Sequence, residues 1–278
     1  MRPSTGLRFL ISFILLFVVG APVCAQDSLT LKTGKKKRTL YVQWGYNRDW
    51  YSESTIHFKN TTTDNYDFVF RNAKAHDSPS MERYWQLDRL TIPQYDFTVG
   101  LLLNDKHDLG LEISWDHLKY VVTDDQVIHV TGNIRGKYID KDTLVTPDFV
   151  HLQHTNGNNY LLFNLVKRQK IVQSKHVNVS AIGKIGAGPL ISYTISTVLG
   201  NHDSGHFHYH GWVAATSLGV RVDLFKYFFI QTDMQGAYAD YTNTELGADH
   251  QGLATHHFYS GQWMWSGGLN FFLNGKKK

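Results

Sequence analysis

Residues 95–117, YDFTVGLLLNDKHDLGLEISWDH, read as two strands and a turn. Tyr95, Phe97, Val99, Leu101 and Leu103 alternate with Asp96, Thr98 and Gly100. Beyond the link NDKHD, Leu109, Leu111, Ile113 and Trp115 alternate with Gly110, Glu112, Ser114 and Asp116. A period of two places the apolar residues on one face of each strand and the small or polar ones on the other. The asparagine and aspartates of the short link suit a tight turn. If Leu103 opposes Leu109, Phe97 faces Trp115 across the pair and Asp96 faces Asp116.

The same pattern recurs in LYVQWGYN (40–47), VNVSAIGKI (177–185), WVAATSLGVRVDL (212–224), YFFIQTDMQGAY (227–238) and WMWSGGLNFFL (263–273). No stretch reads as a long amphipathic helix, and SMERYWQL (80–87) offers at most a turn or two. With 15 tyrosines, 16 phenylalanines and 7 tryptophans in 278 residues, the composition favours an all-β chain.

The links separate a soluble sandwich from a membrane barrel. Short ones (NDKHD, KRQKIVQSK, LFK) alternate with long ones near 48–92, 122–147, 191–208 and 240–256. Short turns at one end and long loops at the other are the plan of a closed antiparallel transmembrane β-barrel, with short periplasmic turns and long extracellular loops. Eight strands are expected, near 39–47, 93–104, 108–121, 148–168, 175–190, 207–223, 227–239 and 256–273. In the last, Trp263, Trp265, Leu269, Phe271 and Leu273 form the lipid face. The alternative is a count of nine or ten: Asn156-Gly157 in HTNGNNY (154–160) is a hairpin signal, and YDFVF at 66–70 could supply a further strand. A bulge is preferred, with His151 and Gln153 inward above it and Tyr160 and Asn164 inward below it.

Ahead of the barrel (39–274), Arg2, Arg8, the apolar run Phe9–Val19 and Val23-Cys24-Ala25 predict a cleaved signal peptide over 1–25. A lipoprotein site at Cys24 competes with it, against the valine where a small residue is wanted. Basic segments follow at 26–38 (KKKR at 35–38) and at 275–278. Cys24 is the one cysteine, so removal of the leader leaves no disulfide, thiol nucleophile or cysteine metal ligand. Of the 28 basic residues two lie in the leader, which leaves 26 against 24 acidic, and nothing argues for nucleic acid.

The runs IPQYDFTVGLLLNDKHDLGLEISWDHLKYV (92–121), HTNGNNY and FKYFFIQTDMQGAY (225–238) resemble an uncharacterised family of small Gram-negative outer-membrane β-barrel proteins. That resemblance covers most of the mature chain and implies the barrel, without a reaction. The HTN triplet is more distantly similar to the His-x-Ser-Asn motif of the lipid A deacylases, eight-stranded barrels completed by a downstream glutamate. This likeness implies His154 as base and Thr155 as nucleophile. No acidic residue occurs between Asp148 and Asp203, so Asp116 would have to orient the histidine.

Three groups of site residues follow. Asp96 and Asp116 would meet across the lumen, where like charges repel; either a cation intervenes or one carboxyl keeps its proton, as a general acid does. Glu112, Lys184 and Arg221 are predicted inward as a ligand-binding or purely structural ion network. His206, His208 and His210 in SGHFHYHGW (204–212) could bind Zn²⁺ or Cu²⁺, the only cofactors suggested. Ser217, Arg221 and Asp223 face the lumen, so even-numbered residues there face lipid. The three histidines therefore project outward above Trp212, unless Gly211 bulges and reverses the parity. The expected function is a structural or surface-binding monomer in outer-membrane lipid and lipopolysaccharide; the alternative is a lipid-A-modifying acyl hydrolase at the extracellular end.

Overall fold

The computed structural model describes residues 37–274 apart from 85, 92 and 104–106. The expected signal peptide, most of the basic segment after it and the tail 275–278 lie outside the described residues. In chain order, β1 (Lys37–Tyr51) precedes a hairpin of β2 (Ser54–Asn60) and β3 (Tyr66–Ala73) and a short β4 (Ala75–His76). Then come β5 (Tyr95–Leu102), β6 (Leu109–Val122) and a second hairpin of β7 (Val127–Ile134) and β8 (Lys137–Leu144). The long β9 (Val150–Gln173) and β10 (Val177–Tyr193) lead to the short β11 (Ile195–Val198) and β12 (Asn201–Asp203). β13 (Phe207–Leu224), β14 (Phe228–Leu246) and β15 (Gly252–Asn274) complete the chain. Two single 3₁₀ turns, Met81–Arg83 and Leu87–Arg89, take the place of the weak helix signal at 80–87.

Eight of these strands close a ring in the order β1-β5-β6-β9-β10-β13-β14-β15, with β15 returning antiparallel to β1 from Lys37↔Asn274 to Tyr51↔Ser260. Every neighbouring pair is antiparallel, and Asp96 faces Asp116 in the β5–β6 register. Outside the ring, Leu111, Ile113, Phe163, Leu165, Ile185 and Ile230 are each half exposed or more. A tier of Trp212, Tyr238 and Tyr259 bounds this belt toward the long connections, with ring centroids 5.4 and 5.3 Å apart. Inside the belt, Ser217, Arg221, Asp223 and Lys184 are buried. A closed barrel, apolar outside and polar inside, satisfies its backbone internally and spans a bilayer; by the rule for such barrels the long-loop end is extracellular.

The long connections are not loops. The stretch expected as a loop at 48–92 holds the β2–β3 hairpin, and 122–147 holds β7–β8; β14 and β15 run on until only 247–251 separates them. Above the aromatic tier β2 takes over from β1 as the neighbour of β15, and β3, β7 and β8 extend the sheet. There the interior is apolar, with Ile56, Phe58, Phe68, Phe70, Val130 and Leu152 buried in one cluster.

Three bulges sit where the two regimes meet. In β9, residues 155–157 stand opposite the single Lys119 of β6, with Gly157 at φ +149°. Strand four is thus one bulged strand, as preferred over a split, but it carries two extra residues instead of one. Parity survives, so Leu152 and His154 face inward with Tyr160 and Asn164, and His151 and Gln153 do not. In β13, one extra residue lies between Tyr209 and Gly211 opposite Ile191 and Leu190, and Gly211 has φ +151°. A Cβ there would lie 1.9 Å from the Asp240 carbonyl oxygen, so the position needs glycine. In β14, one extra residue falls between Tyr241 and Thr244.

Candidate functional site

The membrane-level lumen is filled by side chains. Lys184 Nζ lies 3.0 Å from Glu112 Oε1, while Glu112 also accepts from the Tyr41 hydroxyl (2.6 Å) and from Asn164 Nδ2 (3.2 Å). Lower down, Arg221 donates to Asp223 at 3.1 Å, and its guanidinium lies over the Phe229 ring at 3.4 Å. Glu112, Lys184 and Arg221 therefore belong to two separate ion pairs. Asp96 and Asp116 are held by amides: Asn47 donates to Asp96 at 2.7 Å and Gln235 to Asp116 at 3.0 Å. These carboxylates, with Gln43 and Lys184, leave space for about one water molecule between them.

The hydrolase constellation does not assemble. Asp116 pairs with Tyr160, whereas His154 pairs with Tyr120, four residues farther along β6 or roughly 13 Å at strand rise. His154 Nδ1 bonds Thr194 Oγ1 at 2.7 Å, and its Nε2 faces His256 Nε2 at 3.4 Å. Thr155 sits in the bulge and is only half-buried, and the hydroxyl that His154 meets belongs to Thr194. His154 is fully buried.

The histidines of SGHFHYHGW are placed by the Gly211 bulge. Below it, odd-numbered residues of β13 face inward (Val213, Ala215, Ser217); above it, His210 faces inward and is fully buried. The expected outward projection is therefore reversed, because the extra residue at Gly211 swaps the faces. His210 Nε2 shares the Thr194 hydroxyl at 2.9 Å. A continuous file of imidazoles results. His250 meets His206 at 4.9 Å between centroids, His206 meets His208 at 4.7 Å, and His208 stacks on His210 at 3.8 Å. His210 then meets His154 at 5.9 Å, and His154 meets His256 at 5.6 Å. The inner members lie above the Trp212 tier, outside the membrane-spanning segments. Burial holds His210 and His256 down to about 3, and burial with the neighbouring imidazoles holds His154 well below the usual histidine range. The inner half of the file is neutral, and the outer half opens to water beside Glu245.

Thr194, His256, Glu245 and His250 are the members that sequence reading missed. Thr194 lies 16 residues from His210, His256 lies 102 from His154, and Glu245 and His250 lie 39 and 44 from His206, so no local motif announces them.

A closed eight-stranded ring with an apolar belt and a plugged lumen defines the class: a membrane-spanning β-barrel of the outer-membrane plan. No protein-family model and no curated protein matches the chain. Solved structures similar to it include the outer membrane protein OprG from Pseudomonas aeruginosa, at 11% identity and TM-score 0.40 over 86% of this chain and 98% of that one. Neisserial surface protein A is similar at 8% identity and TM-score 0.33, over 84% and 97%. The outer membrane protease OmpT from Escherichia coli is similar at 8% and 0.31, over 89% and 100%. The fold assignment rests on the closed strand register, to which these scores add nothing.

Proposed function

We propose that this chain is a non-conducting, monomeric barrel, exported by its leader and set in outer-membrane lipid and lipopolysaccharide, that holds a rigid folded platform at the cell surface for binding. The observation that supports it is the change of interior along the same strands. Ser217 and Arg221 fill a polar lumen at membrane level, while Phe58, Phe68 and Leu152 pack an apolar core above it. A barrel that only anchored itself would need no such core, and one that conducted would leave its lumen open.

Because Cys24 is the only cysteine and falls in the leader, single thiol probes are clean. Tyr138→Cys near the β7–β8 tip labels with an impermeant reagent on whole cells, and His176→Cys in the short β9–β10 turn does not. Labelling of His176→Cys alone inverts the platform to the periplasm. Steady ion conductance of the purified barrel in planar bilayers ends the non-conducting reading.

A further inference from the structure

The outer half of the histidine file meets a carboxylate. One ligand atom each from His206, His208 and Glu245 lies within 4.8 Å of the others, and His206 Nε2 is 3.6 Å from Glu245 Oε2. Tetrahedral bonds of about 2.0–2.1 Å to nitrogen and oxygen would bring such atoms to about 3.4 Å apart, within reach of small side-chain rotations. No hydrophobic gain gathers these groups, since His206 is exposed and His208 and Glu245 are only half-buried.

Two further features are those of a held ligand set. His208 has Nε2 3.1 Å from the Asn243 carbonyl oxygen and Nδ1 3.4 Å from the His206 carbonyl oxygen, so whichever nitrogen takes the ion leaves the other beside a backbone carbonyl, the kind of outer partner that fixes an imidazole's tautomer. It is clamped from below by the His210 ring, and His210 Nδ1 lies 3.0 Å from the His208 carbonyl. Glu245 is backed by His250 Nδ1 at 3.5 Å, which in turn lies 3.6 Å from Asp203. Two strands and their bulges thus position the donors, and the site opens outward.

We propose that His206, His208 and Glu245 bind one divalent transition-metal ion of the borderline class, Zn²⁺ or Cu²⁺, at the extracellular end of the barrel. Two imidazoles and one carboxylate suit these ions and leave a position for water or for a donor from outside. The site names a ligand for the surface-binding platform and rests on that reading only for its access to the external medium.

The test is calorimetric titration of the refolded full barrel in micelles with ZnCl₂ and with CuCl₂. One ion binds per chain, micromolar or tighter. Glu245→Gln and His206→Gln each weaken it by at least about tenfold, while His129→Gln in the β7–β8 hairpin does not. Heat-modifiable mobility verifies that each variant refolds, and if one does not, the other decides. The Cu²⁺-loaded barrel shows electron-spin coupling to two nitrogens, and His206→Gln to one. Absence of a stoichiometric event, or several weak events that survive both substitutions, overturns the site. Inverted thiol labelling on cells would overturn the surface platform while leaving this titration unchanged, so the two failures are separable.

Discussion

Near the short-turn end of β9, Asn164 and Arg168 are buried inside the ring while Phe163 and Leu165 are exposed outside it; near the long-loop end of the same strand, Val150 and Leu152 are the buried set. β15 behaves alike, with Gln262 and Asn270 inside at one level and Ala254 and Phe258 inside at the other. Strand geometry is the same in both halves, so what differs is the medium outside. Lipid accepts the apolar face, leaving polar groups to pair among themselves in the lumen; water does not, so above the aromatic tier the apolar face must turn inward. One β-barrel therefore contains an inside-out half and a soluble-like half, joined at a layer of bulges and histidines.

The comparison predicts opposite sensitivities, and the largest effect comes from its two extremes. Phe68 is fully buried in the extracellular core, stacked at 5.1 Å on Phe58 and at 6.0 Å on Phe149. Phe68→Ala should cost about 3–5 kcal/mol, and should make the extracellular half protease-sensitive on intact cells while the membrane half stays heat-modifiable. Leu165→Ala, facing lipid, should cost far less because lipid fills the space. Leu165→Arg should cost about 2–4 kcal/mol near the bilayer centre, whereas Tyr138→Arg on the outer hairpin should stay within about 0.5 kcal/mol. Urea unfolding in micelles measures the set. Equal costs at Phe68 and Leu165 on truncation to alanine would erase the distinction between the halves.

How far each half could be read from sequence follows from the same physics. The membrane half was legible because one face of every strand must be apolar without interruption, which gave eight strands and the Asp96–Asp116 register. The extracellular half hid inside supposed loops: β2 is 7 residues long, and of the 8-residue β3 only YDFVF at 66–70 stands out as a possible further strand, which the structure bears out. The bulges were legible only as possibilities. Gly211 and Gly219 both interrupt β13, yet only Gly211 has the positive φ that goes with a change of face. The candidate site suffered most, since His206, His208 and His210 sit at alternate positions in one stretch, but Glu245 reaches them from β14, 39 residues from His206 in sequence and beyond the last paired residues of β13 and β14. The likeness at HTN pointed to Thr155, while the strand pairing supplies Thr194.

A smaller effect should appear with acid, and only in one half. The side chains around His154 are Thr194, His210, His256, Tyr241 and Tyr120, and those around His256 include Ser54, Tyr120 and Phe258. None of these is a carboxylate, so a proton on either imidazole is uncompensated. Their folded pKa values are depressed, with His256 at about 3, so below the ordinary histidine value of about 6.5 the unfolded chain binds protons that the fold refuses. Stability of the extracellular half should therefore fall as pH drops from about 6.5 toward 5, a window above most carboxylate titrations. Protease resistance of the extracellular half, followed against pH, measures it. Resistance that is flat across this window would mean that the histidine layer opens without cost. His129 carries the opposite sign, because Asp142 and Asp140 raise its pKa; its contribution is present below about 6.5 and lost as pH rises, and being exposed it is minor.

The smallest effect sharpens the comparison through salt. At the outer surface Arg135 grips Asp64 with two hydrogen bonds, Nε to Oδ1 at 2.7 Å and a terminal nitrogen to Oδ2 at 3.0 Å. Asn201 donates to the same carboxylate at 2.6 Å, so one aspartate ties together the β2–β3 turn, the β7–β8 turn and the β11–β12 turn. Arg135 is exposed, however, and exposed pairs contribute about 0.2–1 kcal/mol. Arg135→Ala should therefore lower the stability of the extracellular half by no more than about 1 kcal/mol. The loss should shrink as salt rises from about 0.1 to 1 M and the screening length falls from about 10 to 3 Å. The Lys184–Glu112 pair provides the contrast, because it is buried at membrane level and no salt reaches it. Removing Lys184 leaves a buried carboxylate and should cost about 3–5 kcal/mol at either salt concentration. If the Arg135 effect proved independent of salt, the hairpin turns would be shielded from solvent, and the outer half would be closed more tightly than its exposed ion pair implies.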